Sequence, residues 1–159
     1  MSEIKLLSYF RDQMLRFLDE IIEQFPDQPD FVFVRLVMKD KVPVDDMMGR
    51  FIQSVLVEKE IVVNRDLSFF ERDFVKGYEN WENMNRIFNE VKKLYFSERL
   101  DEEEREVIWK WFDLFIKICE QYYVKYGIPD GWFIRDEDKD LPVIIELNEK
   151  RKKYLQNNS

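Results

Sequence analysis

Apolar positions recur at three-and-four spacing along most of the chain, the period of an amphipathic helix. The pattern is fullest between residues 97 and 127. There Ile108, Trp111, Phe112, Phe115, Cys119, Tyr122 and Tyr126 make one stripe, which Trp109, Ile116 and Tyr123 widen. Lys110, Asp113, Lys117, Glu120 and Gln121 leave a narrow polar strip. A surface helix carries a broad polar face, so this helix is expected to be wrapped by others. Trp109 and Trp111, on different faces, are read as core; the alternative for either is an exposed anchor. Both ends are marked. Asp101 is the N-cap, and Glu104 completes a capping-box pattern. Glu102 and Glu103 suit the helix dipole, and Gly127 followed by Ile128-Pro129 closes the helix.

The remaining elements follow in order. A first helix is predicted over 2–25, capped by Ser2 and stopped by Pro26, with Ile4, Leu7, Met14, Leu18, Ile21 and Phe25 on one face. The stretch FVFVRLVMKDKV alternates like a strand, yet the chain offers it no strand partner. It is assigned as a short helix over 30–40 with Asp30 as cap, strand over 31–38 being the alternative. A third helix opens after Pro43 with Asp45 and Asp46 in its first turn and extends to Glu58. Met47, Met48, Phe51, Ile52, Val55 and Leu56 form its apolar side. The Met pair is read as core filling rather than an adaptable binding surface.

Asn64 or Asp66 caps a brief helix through Leu67, Phe69, Phe70, Phe74 and Val75, ended by Gly77. Helix resumes over 79–96 through Trp81, Met84, Ile87, Phe88, Val91, Leu94 and Tyr95. The bend from Ser97 to Leu100 is short enough to make its flanking helices antiparallel neighbours. After the long helix, GIPDGWF is the turn-rich aromatic loop. A last helix, capped by Asp140 with Pro142 in its first turn, then carries Ile144, Ile145 and Leu147. Residues 150–159 are expected to fray as a basic and polar tail. The sequence thus predicts an all-α fold: a single domain over 1–159, a bundle of about six helices around a largely buried helix at 101–126.

Composition sharpens this picture mainly by exclusion. Aromatic residues make up 16% of the chain, with 14 Phe, whereas Ala, Thr and His are absent. Without histidine there is no Ser–His or Cys–His pair, no imidazole base and no usual zinc site. Cys119, the single cysteine, has no partner for an internal disulfide and is read as a small buried hydrophobe. The N-terminus lacks an apolar signal segment, and no apolar run approaches the roughly 20 residues that span a bilayer. The expectation is a soluble, intracellular protein that is not secreted and has no membrane partner. A net charge of −8 opposes nonspecific nucleic-acid binding. The exception is Lys150, Arg151, Lys152 and Lys153. This run is either a helix end suited to the dipole or a patch for an acidic partner.

Two acidic patterns bear on metal chemistry. Glu20 and Glu23 form an E-x-x-E pair beside Asp19, as in all-helical nucleotide pyrophosphohydrolases that hold Mg²⁺ with acidic side chains. Such an enzyme needs a second acidic pair, and the candidates Asp45 and Asp46, being adjacent, do not share a helix face. Asp136, Glu137, Asp138, Lys139 and Asp140 begin like a calcium loop. Leu141 then stands where the sharp-turn Gly belongs, and Leu147 where the bidentate Glu belongs. These residues are read as a solvated loop. No catalytic, cofactor-binding or metal residues are assigned.

The phrases FLDEIIEQFPDQPDF and SERLDEEEREVIWKWFDLFI resemble a family of small all-helical proteins of large nucleocytoplasmic DNA viruses, the giant viruses of algae and protists. The likeness extends from Phe10 to Tyr126. It implies a viral setting and supplies no residue roles, because no activity is established for the family. Abundant Phe, Ile, Lys and Asn with no Ala suit an AT-rich genome.

The reading that results is a non-enzymatic helical interaction or structural protein of such a virus. It would serve as a virion or virus-factory component or as a modulator of a host protein, in the host-cell cytoplasm, the factory or the virion. Its partner is expected to be a viral or host protein. The candidate contact residues are Trp132 and Phe133, since aromatics concentrate at binding hot spots, together with Lys150, Arg151, Lys152 and Lys153. One alternative is the Mg-dependent hydrolase built on Glu20 and Glu23; another is a nucleic-acid-associated regulator that uses the basic C-terminal run.

Overall fold

The computed structural model describes residues 1–71 and 82–158, and among these every regular element is a helix. The expected helix end at Gly77, with Phe74, Val75 and Trp81, lies outside the described residues. In chain order the helices are α1 (Glu3–Gln24), α2 (Pro29–Asp40), α3 (Val44–Ser54), α4 (Lys59–Val63), α5 (Ser68–Glu71), α6 (Glu82–Tyr95), α7 (Glu102–Tyr126) and α8 (Pro142–Asn157). Short 3₁₀ turns lie at Leu56–Glu58 and Asp136–Asp138. Each of α2, α3 and α7 packs against α1, and α8 packs along α7.

Most helix ends follow from local chemistry. The Ser2 hydroxyl accepts the Lys5 N–H at 3.2 Å. At α7 the capping box is complete: the Glu104 N–H reaches Asp101 at 2.8 Å and the Asp101 N–H reaches Glu104 at 3.2 Å. Two expected caps are replaced. Gln28 precedes α2 in place of Asp30, and Leu141 precedes α8 in place of Asp140. In both helices a proline takes the first turn, where its missing N–H costs nothing. The strand-like stretch is helical, and Phe31, Val34 and Met38 are its buried residues. Alternation lost to a stripe at helical spacing because no second strand is present among the described residues to satisfy the backbone.

Packing differs from expectation in three places. α6 lies against α2 rather than pairing antiparallel with α7. Arg105 of α7 binds the carbonyls of Tyr95 at 3.0 Å and Ser97 at 3.1 Å, and Phe70 stacks on Tyr95 at 4.6 Å. The bend is therefore locked with an aromatic cluster between the two helices. α8 continues to Asn157 in place of a frayed end from residue 150. Arg151 ties that helix back to α7 by donating to the Val124 carbonyl at 3.0 Å.

The third difference concerns the centre. α7 is the longest of the helices among the described residues, with nine buried residues and only six exposed. Trp109 is buried and Trp111 half-buried. Yet the most enclosed element is α3 with its following turn: every residue from Met47 to Glu58 is buried, including Arg50, Gln53, Ser54 and Glu58. α3 and α7 meet through Phe51 and Phe115, whose rings lie edge to face at 5.9 Å. Phe10 completes that contact, 5.1 Å from Phe51 and 6.0 Å from Phe115. Fully burying each ring is worth about 2–3 kcal/mol.

Candidate functional site

The loop between α7 and α8 carries the aromatic pair singled out in the sequence, and the structure gives its members opposite roles. Gly127 closes α7 with φ +79°, a conformation that favours glycine. The Arg151 guanidinium packs on it: a Cβ at Gly127 would lie 3.2 Å from Nη2. The chain then crosses the outer side of α3. Trp132 lies flat on Gly49, where a Cβ would come within 2.3 Å of the indole ring. The indole N–H of Trp132 donates to Asp46 at 3.0 Å. One residue on, the Gln53 side-chain amide donates to the Phe133 carbonyl at 2.9 Å. Ile134 then turns inward and is buried.

Trp132 and Ile134 are directed into the fold, whereas the Phe133 ring between them is left to solvent. It is 59% exposed. Phe133 borders an open cavity of about 670 Å³ whose apolar floor is Tyr123, Ile128, Ile134 and Ile144. The Tyr123 hydroxyl donates to Asn148, and burial pushes its pKa above the ordinary tyrosine value. The rim is charged, with Arg135, Asp136, Glu137 and Lys139. Asp136 and Lys139 pair at 2.6 Å. The hydrogen bond from Lys139 holds the Asp136 carboxyl below the usual range and raises the ammonium of Lys139. An apolar floor inside a charged rim is the composition of a protein contact surface.

The basic run does not act as a block. Arg151 is committed to the end of α7 through Val124, and Lys150 pairs with Glu146 at 3.1 Å. That second contact is a solvent-exposed surface pair one turn apart and adds little to stability. Lys152 and Lys153 remain exposed. The acids of α1 also have individual partners. Glu20 accepts the Trp111 indole N–H at 3.0 Å, and Asp19 pairs with Arg35; Glu23 is exposed. Asp46, from the other acidic pair, is the acceptor of Trp132. Among the described residues no three acidic or cysteine side chains gather in an arrangement that could hold a metal ion. Cys119 is buried, and desolvation pushes its thiol pKa well up.

Three residues were not legible from pattern alone: Gly49 and Gln53 beneath this loop, and Arg65 beside the N-terminal half of α7. Gly49 had a signal, since a glycine inside a helical pattern often marks close approach of another segment. Arg65 has the left-handed φ of +53° that non-glycine residues seldom adopt. Its guanidinium donates to Asp113 at 2.9 and 2.8 Å, to Glu106 at 3.2 and 2.8 Å, and to the Val62 carbonyl at 3.0 Å. The hydrogen bonds to Asp113 are the largest cause raising its pKa. Arg65 thus fastens the connector after α4 to two turns of α7, and Lys59 adds a further pair with Glu120 at 2.9 Å.

Among the described residues no helix is long and apolar enough to cross a membrane. The chain matches no protein-family model, no curated protein and no solved structure.

Proposed function

We propose that this chain is a non-enzymatic helical interaction protein of a large DNA virus, and that Phe133 is the anchor it presents to a protein partner. The observation that carries this reading is the fixed backbone beneath an exposed ring. Trp132 and Ile134 are docked on either side, and the Phe133 carbonyl is held by Gln53. A preordered anchor loses little conformational freedom on binding, and aromatic anchors dominate interface energies. The adjoining apolar floor accepts a complementary side chain, while Asp136, Lys139 and the exposed Lys152 and Lys153 provide polar rim contacts. The viral setting rests on the sequence resemblance. Within it the partner is a viral or host protein met in the cytoplasm, the virus factory or the particle.

The test is affinity purification of the tagged full-length chain from infected cells, with wild type and Phe133→Ala run in parallel and quantified by mass spectrometry. A partner recovered with wild type and reduced at least about tenfold with the variant supports the reading, since a buried aromatic hot spot is worth 2 kcal/mol or more. Identical recoveries with the two proteins contradict it.

A further inference from the structure

A second concave surface lies at the opposite end of α7, between the last turns of α1 and the first turns of α7. Its volume is about 240 Å³. Phe17 and Ile21 of α1, with Phe25 just past its end, form one side, and Leu100 and Ile108 the other; all five are buried. The open wall is Val107, which is 46% exposed, and the half-buried Trp111. Trp111 is immobilised twice. Its ring is backed by Phe17 at 5.7 Å and Phe115 at 5.9 Å, and its N–H is held by Glu20 at 3.0 Å. The wall is therefore present before anything binds.

Size and charge limit what fits. Pockets for cofactors and drug-sized ligands are typically about 300–1,000 Å³, whereas an apolar cavity of about 150 Å³ already takes a benzene ring. A cleft between these sizes suits one large side chain. The polar groups lining it are Glu20, Gln24 and Glu104, with no Lys or Arg among the described lining residues. Glu102 and Glu103 are exposed in the adjoining first turn of α7. One cation lying against this wall, Arg99 over the Phe25 ring at 4.5 Å, is paired with Asp27 at 2.8 Å. The mouth is therefore negative in a chain whose net charge is −8.

From these features we infer that the α1–α7 cleft docks a basic protein segment that inserts one bulky apolar side chain between Val107 and Trp111. The apolar walls supply the anchor site, and the carboxylates select a segment whose flanking residues are Lys or Arg. An acidic segment with the same anchor is repelled at the mouth. This site is separate from the Phe133 surface and does not depend on it.

The experiment is calorimetric titration of the full-length protein with a synthetic amphipathic Lys/Leu helix carrying one Phe. It is compared with the same peptide bearing Ala for Phe, or Glu for every Lys. Saturable one-to-one binding, weakened about tenfold or more by either peptide change and lowered by added salt, supports the site. On the protein side, Val107→Trp fills the cleft without changing charge, and Glu20→Gln removes one carboxylate while leaving an acceptor for Trp111. Val107→Trp abolishes the binding, whereas Glu20→Gln weakens it severalfold and flattens its salt dependence. Unchanged melting temperatures establish that both variants fold; Val107→Phe, smaller and at the same exposed position, replaces Val107→Trp should that protein melt early. Equal binding of the Lys and Glu peptides, or binding indifferent to the filled cleft, overturns the proposal. It is also overturned by sedimentation showing a dimer that Val107→Trp dissociates, since the occupant is then a second copy of the chain.

Discussion

α3 and α7 cross at the Phe51–Phe115 contact, but they are buried by different means. α7 sits in the bundle on an apolar stripe, and its polar strip meets water or the ion pairs of Lys59 and Arg65. α3 has an apolar side of similar quality, but its other side is polar and buried as well. A loop about 80 residues further along covers part of that side: Trp132 on Gly49, and the Phe133 carbonyl on Gln53. One helix is enclosed by its own sequence pattern, the other by a distant segment shaped to fit it. Enclosure of the second kind depends on steric fit and matched polar groups. It is therefore the more easily broken by a small change.

The largest effect is expected where the two helices share a side chain. Phe115→Ala removes a fully buried ring in contact with Phe10, Phe17 and Phe51, and should cost about 4 kcal/mol in urea unfolding. Next comes the fit of the loop to α3. Gly49→Ala places a methyl 2.3 Å from the Trp132 ring and should cost about 2 kcal/mol, the ordinary price of overpacking. Adding Trp132→Leu should recover part of that loss, a coupling that a double-mutant cycle reads directly. Gly131→Ala is the control: φ is +87° but nothing lies within 4 Å, so the backbone term alone, about 1 kcal/mol, remains. At the end of α7, Asp101→Ala removes the capping box and should cost about 1 kcal/mol without touching the loop.

The smallest effect is on pH dependence. Burial raises the pKa of Tyr122 above the ordinary 10.0, and the hydrogen bond to Glu3 adds to the shift; burial raises Tyr123 in the same direction. The unfolded chain loses these protons first, so it binds fewer protons than the native state above pH 10. The contribution is complete below that pH and declines as pH rises toward the folded values. Chemical denaturation from pH 9 to 11 should show falling stability, with a shallower fall in Tyr122→Phe.

What could be read from sequence divides along the same line. The span, caps and stripe of α7 are local facts, and each residue from Asp101 to Gly127 signals its role to near neighbours. The helix at α2 was legible because a lone strand has nowhere to place its hydrogen bonds. The burial of Arg50, Gln53 and Ser54 was not legible, since hydrophobic periodicity assigns such residues to solvent. For Gln53 the Phe133 carbonyl, unknowable from spacing, reverses that assignment. For the same reason the Trp132–Phe133 pair looked uniform in sequence, whereas the fold uses the first ring for packing and leaves the second exposed. The basic run divided likewise, because the end of α7 needed a donor and Arg151 was within reach. Arg65 gave no signal: one arginine in a polar connector looks like any other until α7 brings Glu106 and Asp113 to it.

The account turns on α3 being sealed by the α7–α8 loop, and native-state hydrogen exchange measures that seal most directly. In the intact protein the amides from Phe51 to Val55 should exchange only through global unfolding, as slowly as those from Phe115 to Cys119 in α7. In Trp132→Ala the α3 amides should exchange faster than those of α7. If the α3 amides of the intact protein already exchange ten times faster than those of α7, or if the variant leaves their ratio unchanged, the loop does not seal that helix.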